Sequence, residues 1–548
     1  MKKNVVKRIV TLVLTAALIS GCGQSGGGSG VTATDEMAEK DMVSEQQEET
    51  AGEEGTSSRL TEEEVTFTFG ISENAALPIS EDMPAWDEAA RITGVRIQPV
   101  IIPSSEYTTK MSALYASDEL PDFFYVNPQF VPLQEMVDDE ALLDLTDLVE
   151  QYAPHIQSDF ENIPDYARTK IDNKIYTLGI IRRDTNQQPG TVGMIRGDLL
   201  EKNNLPMPTT WEELRDTLAT LHDLYPDMIP YAARGQNRLI GVDYLSVTRS
   251  IGADYNMYRD ENNVWHLGRI EDRYRDFLSF MSGLYADGIL DSEYLTKTLS
   301  NLQEECSAGK VMFFYENPTF VSDINKNLAV TDPDAYFTMV PLLENQYGET
   351  ANYRARDHKF TMYGVSANCE NPELLVKFLD WAYSEEGAIN YGWGVEGDSF
   401  EYDENGEPQW TQKTLDKYVN ADNAFYKLQS DYGLNTDIFA PSWLYTIYDP
   451  FLGDGWNQKA VYDFYKEQDD DFISVPVDPP FTIEQSERLT EIKQSITDYG
   501  NTTINQIIMG IEPIEKFDDM VEYFKQNGAL EMEQIYNDAE KAYQETNG

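Results

Sequence analysis

Residues 65–70, with the sequence VTFTFG, alternate β-forming residues and end at a glycine, which predicts a first strand followed by a turn. Residues 86–92 then carry a helical pattern, and residues 94–100 (GVRIQPV) predict a second strand. Another helix is predicted over residues 107–116, and a short apolar strand over residues 120–126 (LPDFFYV). Because strand and helix alternate, this segment indicates an α/β fold built on a parallel sheet.

Two helices further along the chain have clear starting signals. Residues 210–213 (TWEE) match a capping box, in which the Thr210 hydroxyl accepts from the third helical amide while Glu213 reaches back. Asn371 and Pro372 supply an N-cap and a proline at the first helical position. An apolar stripe follows each start, so one face of each helix is predicted to be buried.

The first thirty residues are typical of an export signal. Four basic residues within the first eight precede an apolar run over residues 9–19 and small residues before Cys22. The run is too short to span a bilayer comfortably. Residues 20–22 (SGC) resemble the lipobox of bacterial lipoproteins, which implies a signal peptide over residues 1–21, cleavage before Cys22 and acyl chains such as palmitate on a diacylglycerol at its thiol. The alternative is an ordinary signal peptide in which Cys22 is incidental.

Residues 22–64 are predicted to be a disordered acidic tether. The segment begins rich in Gly and Ser and then becomes acidic, as in residues 45–49 (EQQEE). It has almost no apolar clusters, so it cannot bury enough surface to order itself. A globular body that begins near residue 65 would therefore stand away from its anchor.

Composition excludes several classes of protein. The 548 residues suffice for two or more domains, and the net charge of −55 repels phosphate backbones, so no nucleic-acid partner is expected. Besides Cys22, only Cys306 and Cys369 occur, which excludes a disulfide framework and leaves open whether these two pair or are separate buried thiols. The four histidines are scattered, and the sequence predicts no cofactor.

An ordered series of segments resembles the extracellular solute-binding proteins of family 1. The matching segments are residues 120–124 (LPDFF), 145–148 (LTDL), 152–154 (YAP), 172–178 (DNKIYTL), 195–200 (IRGDLL), 205–214 (LPMPTTWEEL), 308–312 (AGKVM), 316–318 (ENP), 371–375 (NPELL) and 385–387 (EEG). Asn173 stands where the family has Gly, and Thr319 where a maltose-binding relative has a sugar-stacking Trp, so that contact is not transferred. Residues 284–291 (LYADGILD) and 391–397 (YGWGVEG) resemble the large oligosaccharide-binding lipoproteins of Gram-positive bacteria.

The resemblance implies a two-lobe periplasmic-binding-protein-like fold of type II, with a hinge between the lobes. Lobe I is predicted to comprise residues 65–180 with about 340–440, and lobe II residues 181–339 with about 441–548. The implied function is that of a receptor, not an enzyme, which captures an oligosaccharide in the cleft and delivers it to the permease subunits of an ABC importer. The protein would be a monomer tied by its lipid to the extracellular face of the cell membrane, in a Gram-positive bacterium.

A sugar site needs aromatic platforms and polar side chains, because sugars expose apolar C–H faces and rings of hydroxyls. We expect such residues on loops that follow strands and in the Gly-rich loop of residues 391–397. The predicted ligand-binding residues are Asn74, Tyr125, Asn127, Tyr315, Glu316, Asn317, Trp393 and Glu396. Trp443 and Trp456 are further candidates for the same wall, whereas Arg196 is expected to pair with a carboxylate of its own lobe.

Two other functions stay open on the sequence. An extracellular enzyme acting on polysaccharide would need two carboxylates that flank the scissile bond, but among 96 acidic residues some pair always looks suitable. A peptide receptor of the same fold is the second alternative.

One segment also resembles a calcium loop. Residues 401–406 (EYDENG) place oxygen donors at alternate positions before a glycine. The twelfth position would be Gln412, a poor bidentate ligand, so a hairpin turn at Asn405 and Gly406 is favoured.

Overall fold

The computed structural model describes residues 59–73, 77–80, 82–126, 131–163, 165–184, 189–235, 238–241, 247–354, 358–421, 424–434, 438–452, 456 and 458–547. The predicted signal peptide, Cys22, nearly all of the tether, Asn74 and Asn127 lie outside these residues. Within the described ranges, every helix is too short or too polar to cross a membrane.

Strands occur along most of the described chain. They are β1 Val65–Glu73, β2 Val95–Pro103, β3 Phe123–Tyr125, β4 Thr177–Arg182, β5 Val192–Arg196, β6 Ile229–Ala232, β7 Met257–Arg259, β8 Trp265–Leu267, β9 Val311–Glu316, β10 Phe337–Met339, β11 Asn352–Tyr353, β12 Lys359–Val365, β13 Phe400–Tyr402, β14 Pro408–Trp410, β15 Ser442–Trp443 and β16 Phe472–Ile473.

Helices fill most of the intervening chain. They are α1 Pro84–Thr93, α2 Tyr107–Ala116, α3 Leu133–Asp138, α4 Thr146–Tyr152, α5 Pro154–Asn162, α6 Gly197–Asn203, α7 Trp211–Leu224, α8 Thr248–Ile251, α9 Asp272–Ala286, α10 Leu299–Ser307, α11 Val321–Thr331, α12 Pro372–Tyr383, α13 Glu385–Trp393, α14 Gln412–Tyr418, α15 Ala424–Tyr432, α16 Gln458–Tyr465, α17 Ile483–Ile508, α18 Lys516–Gln526 and α19 Ala529–Asn547.

Six strands form a large sheet in the order β15-β4-β12-β3-β1-β2. Strand β1 runs parallel to both β2 and β3, as predicted for residues 65–126, whereas β12, which lies outside that segment, runs antiparallel to β3 and β4. The reason lies where β12 begins: the backbone N–H of Arg182, at the carboxyl end of β4, donates to Nδ1 of His358 at 3.1 Å. Because β12 begins beside the carboxyl end of β4, it runs antiparallel to β4.

Four strands form a small sheet in the order β10-β5-β9-β6, in which β6 and β9 are parallel and β5 is antiparallel to β9. The two sheets have separate cores. Phe69 stacks on Phe123 at 4.4 Å between ring centroids in the large-sheet core, while helices α17 and α19 pack with α9 against the small sheet. The protein therefore has the two lobes expected, here called the large-sheet lobe and the small-sheet lobe.

The chain passes between the two sheets from β4 to β5, from β10 to β12, and from β15 to α16. These passages form the hinge. Since β15 still belongs to the large sheet, that sheet continues to Trp443; the residue limits predicted for the lobes stay a prediction.

Local signals in the sequence are confirmed with small changes. The Thr210 hydroxyl accepts from the Glu213 N–H at 3.0 Å, but the Glu213 carboxylate accepts from the N–H and hydroxyl of Thr209, one residue earlier than a capping box requires. Asn371 caps α12 through the Leu374 N–H at 3.3 Å. Strand β3 is shorter than the predicted residues 120–126. Asp122 precedes the strand, and its carboxylate accepts hydrogen bonds from the backbone N–H and the hydroxyl of Thr68.

The calcium-like segment is a hairpin, as favoured. Strands β13 and β14 pair antiparallel, and one oxygen of Asp403 accepts from the backbone N–H groups of Asn405 and Glu407 at 2.8 and 2.9 Å. Cys306 and Cys369 are free and buried in different cores, so they do not pair.

Candidate functional site

The chain connects the carboxyl ends of strands in the two sheets. In the large sheet, β15 is parallel to β4, so both end at the same edge. In the small sheet, Val192 at the start of β5 lies opposite Glu316 at the end of β9. The passage from β4 to β5 therefore joins the carboxyl edge of one sheet to that of the other. Ligands of open α/β sheets bind outside such edges, which makes the space between them the candidate site.

Arg234 and Glu316 form an ion pair at the small-sheet edge. Arg234 comes two residues after β6, and its Nε donates to the carboxylate of Glu316, the last residue of β9. The other Glu316 oxygen accepts from the Asn317 N–H at 3.1 Å. Neither Nη nitrogen of Arg234 has a hydrogen-bond partner among the described residues. The edge thus offers donors and an acceptor side by side, which suits a pair of hydroxyls.

The backbone fixes this ion pair in place. Gly235 follows Arg234, and its N–H donates to the Lys297 carbonyl at 2.7 Å. A Cβ at Gly235 would lie 2.2 Å from the Leu295 oxygen, so only glycine allows this approach. Asn317 is held as well, because its side-chain oxygen accepts from the Thr319 N–H at 3.0 Å at the start of a short 3₁₀ turn.

Aromatic rings and a charged pair lie at the large-sheet edge. Trp443 stands opposite Arg182 in the register of β15 and β4, and its ring centroid is 4.7 Å from that of Tyr445. Arg182 Nε donates to Asp184 at 2.6 Å, and the other Asp184 oxygen accepts from the Tyr445 N–H at 2.8 Å. Burial raises the pKa of Tyr445 well above its ordinary value, so its hydroxyl stays protonated.

The indole nitrogen of Trp443 is buried and has no hydrogen-bond partner among the described residues. A buried N–H group without an acceptor is costly, and such groups are uncommon in folded proteins. This donor and the ring that carries it are therefore candidates for contact with a ligand.

The sequence-predicted site residues fall into two groups. Glu316 and Asn317 lie at the small-sheet edge, whereas Tyr125 and Trp393, only 7% and 8% exposed, lie in the large-sheet core. The Tyr125 hydroxyl donates to the Ile438 carbonyl at 3.2 Å, and the Trp393 ring packs 4.7 Å from that of Trp410. Their part in binding stays a prediction.

The remaining predicted residues are spread along the chain. The hydroxyl of the partly buried Tyr315 accepts from Asn352 at 2.9 Å, and desolvation raises the pKa of Tyr315. Glu396 is exposed in the turn after α13, and Trp456 packs against the small-sheet lobe. The loop placements were partly wrong: Tyr315 and Glu316 lie in β9 and Trp393 ends α13, because these two elements run further than predicted, and Tyr125 is the last residue of β3.

Sequence reasoning missed Arg182, Asp184, Arg234 and Tyr445. A usable signal was present, since residues 182–184 (RRD) are a polar run that directly follows a fully buried strand. The expectation for Arg196 is confirmed: its guanidinium forms a bidentate ion pair with Asp198, with both distances 2.7 Å.

The chain matches the family model described as bacterial extracellular solute-binding protein over residues 78–389. Among curated proteins, the polygalacturonan/rhamnogalacturonan-binding protein YtcQ of Bacillus subtilis (strain 168) is 21% identical over 488 residues, which cover 83% of this chain and 88% of that protein.

Solved structures share the fold. The alginate-binding protein AlgQ2, solved without calcium ion, has a TM-score of 0.73 at 20% identity and covers 88% of this chain and 99% of its own. The substrate-binding protein FusA of S. pneumoniae, in complex with kestose, has a TM-score of 0.70 at 18% identity, with 88% and 100% covered. The likeness spans both lobes.

Proposed function

The chain belongs to the bacterial extracellular solute-binding protein family, and on this premise we propose that it captures an oligosaccharide between the two sheet edges and presents it unchanged to an ABC importer. The observation that supports the sugar assignment is the pairing of an aromatic edge, at Trp443 and Tyr445, with a polar edge, at Arg234 and Glu316. Aromatic rings cover the apolar faces of sugars, and the ion pair offers hydrogen-bond donors and acceptors to the sugar hydroxyls.

Binding would close the lobes about the hinge passages. A ligand that touches both edges binds the closed form better than the open form, and this difference in affinity is what shifts the equilibrium. The proposed contacts are Arg234, Glu316, Asn317 and Trp443, with Asn74 and Asn127 kept as candidates from the sequence. The partner would be the permease, which recognises the closed form.

The anchor is proposed from the sequence. Cys22 follows a signal-like segment with small residues before it, which supports lipid attachment at its thiol and a position at the extracellular face of a Gram-positive membrane. The monomeric state is proposed from the family resemblance alone. Mass spectrometry of the protein from its native membrane tests this, since the mature chain would begin at a diacylated Cys22.

Isothermal titration against a glycan panel tests the ligand class. The panel needs acidic chains, since YtcQ and AlgQ2 are named for uronate polymers, and neutral ones, since FusA was solved with kestose. Tight binding to one glycan supports the proposal. Binding only to peptides supports the alternative receptor, and new reducing ends on incubation with glycans support the enzyme.

Arg234→Gln tests the polar edge. Loss of charged hydrogen bonds to the ligand weakens affinity roughly tenfold to a hundredfold, because each is worth about 1.5–3 kcal/mol. Arg215→Gln is the matched control, since Arg215 also pairs with a carboxylate, Asp287, but on an exposed surface of the same lobe. Equal affinities of the two variants would remove Arg234 from the site.

Trp443→Phe tests the aromatic edge. The substitution keeps a ring but removes the indole N–H, so affinity falls severalfold, as expected for one hydrogen bond of about 1 kcal/mol. The unfolding midpoint stays near that of the wild type, because this N–H has no partner among the described residues. A drop in the midpoint without loss of affinity would assign the group to stability alone.

A further inference from the structure

We infer that a buried ion pair between Arg168 and Glu540 links the two lobes beside the hinge. This pair limits the angles that the lobes can adopt relative to each other. Arg168 lies in the 3₁₀ turn Tyr166–Thr169 of the large-sheet lobe, and Glu540 lies in α19 of the small-sheet lobe. Nη1 and Nη2 of Arg168 donate to the two carboxylate oxygens at 2.7 and 3.0 Å. The side chains are only 5% and 3% exposed.

The turn that carries Arg168 is fixed to the large-sheet lobe. The Tyr166 ring stacks on Phe160 and on Phe360, with centroid distances of 3.9 and 5.0 Å. Its hydroxyl accepts from the Gly179 N–H of β4 at 2.7 Å. Because Phe360 stands at the start of β12, directly after a hinge passage, the turn lies beside the hinge.

Helix α19 is equally fixed to the small-sheet lobe. Asn537 accepts from the backbone N–H of Trp265 and donates to its carbonyl, both at 2.9 Å, and Glu533 accepts from the Leu267 N–H at 2.7 Å. The helix therefore moves with β8. The ion pair thus connects two firmly held elements, one in each lobe.

The contact at this point is made by the pair and its neighbours. Trp265 Nε1 also donates to Glu540, at 3.0 Å, and the Arg168 guanidinium lies 4.2 Å from the ring centroid of Tyr543. Beside it remains a cavity of about 230 Å³, lined by Ala167 from one lobe and Ala542 from the other. The carboxylate of Glu540 and the ring of Tyr543 therefore both hold Arg168 against α19.

Arg168 also pairs through its Nε with Asp165, and Arg259 Nη1 lies 3.6 Å from Glu540, so breaking the pair removes the charged hydrogen bonds between the lobes but leaves neither charge alone. The loss of such hydrogen bonds shifts an equilibrium by roughly tenfold or more. A point beside the hinge also moves little when the lobes rotate. The pair is therefore retained during hinge bending as a fixed point, and it excludes inter-lobe arrangements in which Arg168 would move away from Glu540.

Distance distributions between spin labels test this in the full chain without any sugar, so the result is independent of the proposed ligand. The labels go on Ala113→Cys in α2 and Ala219→Cys in α7, both exposed. The chain with Arg168 and Glu540 gives one narrow population. Glu540→Gln loses that narrow population and gives a broad one.

Two further variants complete the experiment. Tyr543→Leu, at a half-exposed position, removes the ring from Arg168 without unpairing a charge, so the protein folds and the distribution widens less. Glu531→Gln is the control, because Glu531 pairs with Arg488 on the surface of one lobe, and its distribution stays narrow. If Glu540→Gln folds and its distance distribution equals that of the wild type, the inference is overturned. If Glu540→Gln does not fold, a distance distribution of Tyr543→Leu that equals that of the wild type overturns it.

Discussion

Glu540 shows how a single residue couples stability to pH. Burial alone would raise the pKa of its carboxyl group, but hydrogen bonds from Arg168 and Trp265 outweigh burial and lower the pKa from 4.5 to about 2. Since the folded pKa lies below the unfolded one, the stabilisation is complete above about pH 4.5 and is lost as the pH falls towards 2.

Urea unfolding of the wild type and of Glu540→Gln measures this coupling. At pH 7 the variant loses about 3 kcal/mol of unfolding free energy, because the hydrogen bonds that favour the charged carboxylate in the folded protein and lower its pKa to about 2 are lost. The difference between the two proteins shrinks below pH 4.5, the ordinary pKa of the group. A difference that stays constant from pH 7 to pH 3 contradicts the assignment.

The backbone at Asn173 explains why an asparagine suits this position. Its φ is +62°, in the left-handed region that Gly and Asn adopt most easily. We expect Asn173→Ala to lower the unfolding free energy by about 1 kcal/mol, and Asn173→Gly to leave it unchanged or slightly higher. Thermal unfolding of both variants checks this. Equal losses of unfolding free energy in the two variants would mean that contacts of the Asn173 side chain, not its backbone conformation, stabilise the protein.

Between elements, the glycine of the residue 385–387 motif permits the contact of α12 with α13. A Cβ at Gly387 would lie 2.3 Å from the Trp381 carbonyl oxygen and 2.6 Å from the Ala382 Cα, and a backbone cannot yield as a flexible side chain does. The sequence pattern contained this residue, but only the structure supplies its physical reason.

Gly387→Ala therefore lowers the unfolding free energy by about 1–3 kcal/mol, the usual cost of overpacking. Gly283→Ala is the matched control, because Gly283 lies inside α9 with nothing within 4 Å of the new Cβ. It should stabilise the protein by about 0.5–1 kcal/mol through helix propensity. Chemical denaturation compares the two, and the same sign for both would contradict this account of the contact.

Elements with strong local patterns were predictable. Helix α2 spans Tyr107–Ala116 as predicted, because its pattern and its neighbours in sequence suffice. The direction of β12 was not predictable from the sequence, since it depends on the passage that brings the chain back from the small sheet. The ends of β3, β9 and α13 were also misjudged, and these ends decide whether Tyr125, Glu316 and Trp393 stand on loops.

For the whole molecule, the two lobes followed from an ordered series of motifs, but the site followed only in part. Glu316 and Asn317 were found because the first ends an apolar strand and the second directly follows it. Arg234 and Tyr445 belong to the candidate site through contacts across the fold, with Glu316 and with Asp184, and such partners are invisible to spacing along the sequence.

The central claim is that a sugar between the two sheet edges draws the lobes together. Small-angle X-ray scattering of the purified full chain, titrated with each oligosaccharide of the panel, measures this directly. We predict that one oligosaccharide lowers the radius of gyration in a saturable way and that Arg234→Gln shifts the midpoint to higher concentration. A ligand that saturates the protein without any change in the radius of gyration would contradict the account.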